Sequence, residues 1–236
     1  MTAMPPIAVL AGGLATRMRP LTECLPKALL EVAGEPFIAH QLRLFAREGI
    51  RDVKLLVGYC WEQIEGFVGD GSQFGVQVEY IVDGPTLLGT GGALRHALGS
   101  LGPEFLVIYC DSWLDASYPP VVEAFRKSGR PALMCVFHNE NRWDASNVQF
   151  ENGVLRRYSK RFHLPEMHHI DWGLGMLKAA VVAARPLGKP WDLAELYEEL
   201  SISGLLEGFE MRRRFYEIGS FKGLADTTRL LELETH

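Results

Sequence analysis

Apolar positions in the first 138 residues form short runs, separated by segments with helical spacing. Ile7 to Leu10 reads as a first buried strand. Phe37, Ile38, Gln41, Leu42, Leu44 and Phe45 recur at the three-and-four spacing of a helix that ends near Gly49. Val53 to Val57 predicts a second strand, Trp61 to Val68 a short helix, Gln77 to Val82 an alternating third strand and Gly91 to Leu98 another helix. Phe105 to Tyr109 predicts a fourth strand leading into Asp111. A helix over Pro119 to Ser128 and a fifth strand over Ala132 to Phe137 follow. Strands alternating with helices predict an α/β fold with a doubly wound, mostly parallel, Rossmann-like sheet.

The pattern changes after about Asn139. Asn152-Gly153 between Val148–Glu151 and Val154–Tyr158 is a hairpin signal. Asp171 to Leu177 predicts a strand, Asp192 to Ser201 a capped helix, Phe215 to Ile218 a last short strand and Phe221 to Leu233 an amphipathic closing helix. No Pro-, Ser- or Gly-rich linker and no internal repeat interrupts the chain. Residues 1–236 therefore read as one domain, with a regular half to about 138 and a less regular half from 139.

Composition removes several function classes. With 47% hydrophobic residues, 22% charged and a net charge of −5, the chain is neither disordered nor a strongly basic nucleic-acid binder. No apolar run approaches the ~20 residues of a membrane span, and Met1 to Pro6 carry no basic residue, so neither a span nor a signal peptide is expected. Cys24, Cys60, Cys110 and Cys135 form no Cys-x-x-Cys pair, which fits free thiols in a reducing cytoplasm. Glycine stands out: 24 of 236 residues, about a tenth against a usual ~7%. Close backbone approach or positive φ is needed repeatedly.

The segment from Leu10 to Lys27 follows the first strand, where open α/β sheets bind ligands. Gly12 and Gly13 clear backbone N–H groups to face an anion. Arg17 adds a fork of donors and Lys27 a compact charge. The segment lacks both Gly-Lys-Ser/Thr and Gly-x-Gly-x-x-Gly, so it is neither a Walker A loop nor a dinucleotide fingerprint. A solvated surface loop is the competing reading of the two glycines alone.

The whole string, Gly12-Gly-Leu-Ala-Thr-Arg-Met-Arg-Pro-Leu-Thr22 followed by Pro26-Lys27, resembles the signature of the sugar-1-phosphate nucleotidyltransferases. Leu88-Gly-Thr-Gly-Gly-Ala-Leu94, Cys110-Asp-Ser112 and Phe215-Tyr-Glu-Ile-Gly-Ser220 resemble later family motifs in the family's order, so the likeness runs from Ile7 to about Leu231. Asp111-Ser-Trp-Leu-Asp115, Ser146-Asn-Val148, Ile170-Asp-Trp-Gly-Leu174 and Tyr216-Glu-Ile-Gly219 are similar to the D-glycero-D-manno-heptose 1-phosphate guanylyltransferase group.

The resemblance implies a single-domain nucleotidyltransferase (GT-A-like) fold with a mixed sheet. It also implies transfer of a nucleotidyl group from a nucleoside triphosphate, GTP favoured, to a sugar 1-phosphate, with pyrophosphate leaving. Heptose 1-phosphate is the favoured acceptor. UTP, CTP or dTTP with another sugar phosphate or phosphonate is the alternative, as is a silent nucleotide-sugar-binding regulatory subunit. The first half would face the nucleotide and the second the acceptor. Arg17 and Lys27 would be catalytic, and Asp111 and Glu217 would hold Mg2+, which prefers carboxylates and phosphate oxygens. Leu10, Ala11, Gly12, Gly13, Thr16, Asp83, Gly89, Thr90 and Gly91 would contact the nucleotide. Asn147, Lys160, Asp171 and Gly173 would contact the sugar phosphate. For Lys160, a solvated basic edge with Arg156, Arg157 and Arg161 is the competing reading. No nucleic-acid or membrane partner is expected, and monomer and homo-oligomer are both left open.

Ala15 stands where the family often has glycine, so a positive φ there would be strained. Cys110 also replaces a glycine, and Glu217 replaces the commoner aspartate. Two features are set aside: His163, His168, His169 and Glu166 lack helical ligand spacing for zinc. Arg212 to Arg214 read as a solvated strand edge or subunit contact.

Overall fold

The computed structural model describes residues 3–84 and 86–234. Thirteen strands lie among these residues: β1 Ile7–Ala11, β2 Glu31–Val32, β3 Glu35–Pro36, β4 Asp52–Val57, β5 Gln77–Val82, β6 Glu104–Tyr109, β7 Ser112–Trp113, β8 Ala132–His138, β9 Val148–Glu151, β10 Val154–Tyr158, β11 His169–Lys178, β12 Leu206–Met211 and β13 Tyr216–Glu217. The α-helices are α1 Phe37–Arg47, α2 Trp61–Val68, α3 Gly89–Leu101, α4 Pro119–Ser128, α5 Ala179–Ala183, α6 Leu193–Ile202 and α7 Phe221–Glu234.

One mixed sheet runs β10-β9-β11-β6-β1-β4-β5, with β8 also pairing β11 and β12 joining β8. β1 is parallel to both β4 and β6, and β4 is parallel to β5. β11 runs antiparallel to β6 and β8. Both faces are covered, which explains why the central strands read as unbroken apolar runs. Ile7, Val9 and Ala11 of β1 join Val53, Leu55, Leu106 and Ile108 in a core layer with α1, α2 and α4. Ala8 and Leu10 point the other way, to a layer with Leu94, Ala97, Leu193, Leu196 and Tyr197 from α3 and α6. A smaller cluster of Met18, Leu30, Phe37, Trp113, Ile218 and Leu231 seats the signature loop, β7 and α7 on the main body.

Each predicted strand and helix forms, with ends displaced by a few residues. Asn152 and Gly153 take the positive φ values of 51° and 76° that the hairpin turn requires. Strand β12 has no counterpart among the expected elements. Its sequence, Leu-Glu-Gly-Phe-Glu-Met, mixes polar and apolar positions because it lies beside only one strand, β8. Of Arg212 to Arg214, expected at a solvated strand edge or subunit contact, Arg212 and Arg213 are exposed, and only Arg214 departs from a solvated edge. Arg214 lies between the rings of Trp143 and Tyr216, with centroids 3.4 Å and 4.3 Å from its guanidinium carbon, and bonds Asp226 at 3.2 Å. Arg213 pairs with Asp115 at 2.6 Å.

Candidate functional site

β1 has β4 on one side and β6 on the other, so the chain reverses its winding direction there. The carboxyl ends at this switch point open into a crevice, the usual ligand position in such sheets. A cavity of about 220 Å³ occupies it. Leu10, Ala11, Gly12, Gly13 and Lys27 form one wall, Asp83, Gly89 and Thr90 another, and Tyr109, Cys110 and Asp111 the floor toward β6. Apolar walls with a few convergent charged groups are the common character of small-molecule sites.

The charged end of the cavity is built by three distant segments. Lys27 opens a 3-10 turn after Pro26, and its Nζ lies 2.8 Å from Asp111 Oδ2. Asp111 follows β6, while β13 pairs antiparallel with β7, Glu217 opposite Ser112, and Ile218 N donates to Asp111 O at 2.9 Å. A methyl group added at Gly219 would lie 2.9 Å from Glu217 Oε2, 3.1 Å from Asp111 Oδ2 and 3.3 Å from Lys27 Nζ. Two carboxylates and an ammonium therefore converge on a cradle that only glycine leaves open. Glu217 is held by the hydroxyl of Ser220, at 2.6 Å, and by the N–H of Gly219.

Two carboxylates beside the same open cradle are the donor chemistry of a magnesium ion, which takes one or two carboxylates and fills the rest with water and phosphate oxygens. Glu217 reaches the cradle despite its extra methylene. Space is made by Gly223 of α7, where a Cβ would lie 1.8 Å from Glu217 Oε1.

Asp83 sits half-buried above the glycines. Its Oδ2 accepts from Leu88 N at 3.1 Å, and its buried Oδ1 has no partner among the described residues. Burial raises its pKa, although the Leu88 N–H works against this. Cys110 is more strongly affected, pushed up to about 12 by burial, so its thiol stays protonated at neutral pH. Ala15 adopts φ 48°, the strained conformation foreseen for a non-glycine residue there. Its carbonyl is pinned by Thr22 Oγ1 at 2.8 Å.

Several expected site residues lie elsewhere. Arg17 and Thr16 are exposed on a 3-10 turn outside the cavity wall, and Arg17 has no ion-pair partner among the described residues. Gly91 does not face the cavity. Its N–H donates to Trp191 O at 3.0 Å, and a Cβ there would lie 2.1 Å from the Trp191 ring. The paired glycines of α3 thus serve close helix–loop packing, and the first-turn N–H of Gly91 is already taken. Gly89, Thr90 and Ala93 of that motif reach the cavity wall.

On the acceptor side, Asn147 Oδ1 accepts from Asp171 N at 2.9 Å, and Asp171 Oδ1 accepts from Gly173 N at 2.9 Å. A register shift between Asp171 and Gly175, with Gly173 at φ 97°, bulges β11 here, as strands often do beside a site. Asp171 lines a small second cavity with Tyr109, Gly173 and Tyr197, and Tyr109 separates it from the main one. Burial raises the Asp171 pKa to about 6, opposed by the Gly173 N–H and the Lys160 charge. Lys160 pairs with Asp192 at 2.6 Å. The histidines set aside as zinc ligands have separate partners: His163 Nδ1 lies 3.0 Å from Ser146 O, and His169 Nε2 lies 3.2 Å from Glu210.

Gln41 is a site residue the sequence pattern hid among apolar helix positions. Fully buried on α1, its amide donates to the carbonyls of Tyr109 and Ser112, both at 3.0 Å, and so fixes the turn that carries Asp111. A polar residue on the apolar face of an amphipathic helix was the available signal. Gly58 was also missed: a Cβ there would lie 2.9 Å from Gly12 O, so it lets the glycine loop settle on β4.

Residues 7–147 match the nucleotidyl transferase family. The chain belongs to this family. Over 122 residues it is 37% identical to mannose-1-phosphate guanylyltransferase of Mycobacterium tuberculosis, covering 52% of this chain and 34% of that protein. N-acetylmuramate alpha-1-phosphate uridylyltransferase of Caulobacter vibrioides is 28% identical over 250 residues, covering 98% of this chain and all (100%) of that one. The crystal structure of HddC from Yersinia pseudotuberculosis superposes with a TM-score of 0.82 at 18% identity, covering 97% of this chain and 100% of HddC. This nucleotidyl transferase chain spans about a third to just over half the length of the curated relatives it matches first. Among its described residues, no helix is long and apolar enough to cross a membrane.

Proposed function

We propose that the protein transfers a nucleotidyl group from a nucleoside triphosphate to a sugar 1-phosphate, releasing pyrophosphate. The carrying observation is the convergence of Lys27, Asp111 and Glu217 on the Gly219 cradle, with Lys27 and Asp111 lining the cavity at the switch point. In this reaction a sugar-phosphate oxygen attacks the α-phosphorus while negative charge builds on the departing pyrophosphate. The protein must align two anions and neutralise them.

Asp111 and Glu217 would hold Mg2+, which when bound supplies charge neutralisation at the phosphate oxygens. Lys27, kept in place by Asp111, presents its ammonium to the reacting phosphates. Gly12 and Gly13 offer backbone without side-chain obstruction. Arg17, exposed and with no ion-pair partner among the described residues, is free to close over the leaving phosphates. Asp83 offers its unpartnered Oδ1 to base N–H groups. Lys160, Asn147, Asp171 and Gly173 bind the sugar phosphate, with Tyr109 between the two halves.

GTP and D-glycero-D-manno-heptose 1-phosphate are the favoured pair. The motifs around Asp111, Ser146, Ile170 and Tyr216 support this choice. UTP with N-acetylmuramate 1-phosphate is the second reading, favoured by the match to the Caulobacter vibrioides uridylyltransferase along the whole of that relative. Pyrophosphate release is measured with Mg2+, each of four triphosphates and a panel of sugar 1-phosphates. Release is expected with GTP and the heptose phosphate. Release only with UTP would replace the guanylyl assignment, and none with any pair would remove the enzyme reading.

A further inference from the structure

We propose that Asp192 is a positioning residue that holds Lys160 at the mouth of the site and ties it to the cavity wall at Thr90. The proposal rests on Lys160 being the acceptor-side phosphate ligand of the reading above. Asp192 caps α6 through Oδ1, which accepts from Ala194 N at 3.0 Å. Capping uses one oxygen, yet this carboxylate does more. Oδ1 also accepts from Thr90 Oγ1 at 2.9 Å, and Oδ2 accepts from Lys160 Nζ at 2.6 Å. Thr90 Oγ1 in turn accepts from Leu193 N at 2.8 Å.

The preceding residue fixes this arrangement to the nucleotide side. Trp191 N donates to Leu88 O at 3.1 Å, and Trp191 O accepts from Gly91 N at 3.0 Å. The first turns of α3 and α6 are thereby joined by backbone bonds, with Asp192 at the junction. Burial pushes the Asp192 pKa up, but donors from Lys160, Ala194 and Thr90 outweigh it and hold the carboxylate ionised at neutral pH.

Lys160 has a side chain 63% exposed, and an exposed pair adds little stability. A lysine head on a four-carbon stem otherwise samples many positions. The pair confines it beside Thr90, a cavity residue. Its three donors let it keep Asp192 while reaching a phosphate.

Asp192→Asn and Asp192→Ser both retain an N-cap oxygen while removing the charge. Either is expected to raise KM for the sugar 1-phosphate by about fivefold, the upper range for one exposed ion pair, with KM for the triphosphate and the melting temperature little changed. In a Lys160→Ala background the same substitutions should add nothing. A KM rise of equal size in that background, or a fall in melting temperature and kcat without the KM change, would overturn the proposal. A readout independent of turnover separates it from the functional reading. Acetylation of Lys160 by acetic anhydride, followed by peptide mass, should speed up severalfold in Asp192→Asn, and an unchanged rate would also overturn it. If acetylation speeds up while Lys160→Ala leaves the sugar-phosphate KM unaltered, the ion pair stands, the acceptor role of Lys160 fails, and the positioning proposal falls with it.

Discussion

Lys27 Nζ lies 2.8 Å from Asp111 Oδ2, joining the glycine-rich loop after β1 to the end of β6 across 84 positions of sequence. Their side chains are only 13% and 23% exposed, so each charge depends on the other and on whatever ligand enters the cradle. Asp111→Asn keeps the shape and removes the charge. Turnover should fall by about a hundredfold or more, with the far-ultraviolet circular dichroism spectrum unchanged. Turnover within a few-fold of the unaltered protein would take Asp111 out of the reacting centre.

Gly223 makes room for a carboxylate it does not bond. Gly223→Ala would drive a Cβ into Glu217 Oε1, at 1.8 Å in the unrelaxed structure. The variant should need several-fold more Mg2+ for half-maximal pyrophosphate release, and Glu217→Gln should behave alike. A magnesium titration that superposes on that of the unaltered protein would show that Glu217 does not hold the ion.

Gly91→Ala tests the packing role of the α3 glycines. A Cβ 2.1 Å from the Trp191 ring forces the 191–193 strap away from α3. The expected loss is about 1–3 kcal/mol of unfolding free energy, the usual cost of overpacking. Urea denaturation checks this. A neutral or stabilising effect would mean that Gly91 is free to face a ligand after all.

Asp171 sets a pH dependence of stability. Its folded pKa, raised by burial to about 6 from 3.8, means that the folded state binds the proton more tightly. Stability from this group is full below the unfolded value and is lost as pH rises through about 6. Asp171→Asn retains an acceptor for Gly173 N and cannot ionise. Relative to the unaltered protein it should gain on the order of 2–3 kcal/mol between pH 4 and pH 8. Thermal unfolding at the two pH values measures the difference, and a constant difference would contradict it.

Most of the framework was legible because the central strands are covered on both faces, which forces continuous apolar runs such as Phe105 to Tyr109. Helices with one buried face, such as Trp61–Val68, were equally clear. The edge strand Leu206–Met211 was not, since a strand with one neighbour and a partly solvated face need not alternate cleanly. At the site, Lys27, Asp111 and Glu217 could be picked out only through the motifs that resemble the family's, because an aspartate at a strand end by itself serves equally as a turn or cap residue.

What escaped was the support beneath them. Gln41 looks like one polar slip in an apolar stripe until its amide is seen clasping two carbonyls beside Asp111. Gly58, Gly219 and Gly223 matter for the atoms their missing side chains would strike, and those atoms come from residues remote in sequence or folded back on them. The same limit misplaced Gly91: a glycine-rich helix start suits both a phosphate and a tryptophan, and only the tertiary contact distinguishes them.

Transfer of the α-phosphorus tests the central claim most directly. The protein is incubated with Mg2+, the sugar 1-phosphate and GTP labelled at either its α- or its γ-phosphorus. Label from the α-position should appear in a nucleotide-activated sugar and label from the γ-position in pyrophosphate, with both lost in Asp111→Asn. Label from the γ-position appearing on the sugar, or α-label remaining in the nucleotide pool with every triphosphate supplied, would contradict nucleotidyl transfer at this site.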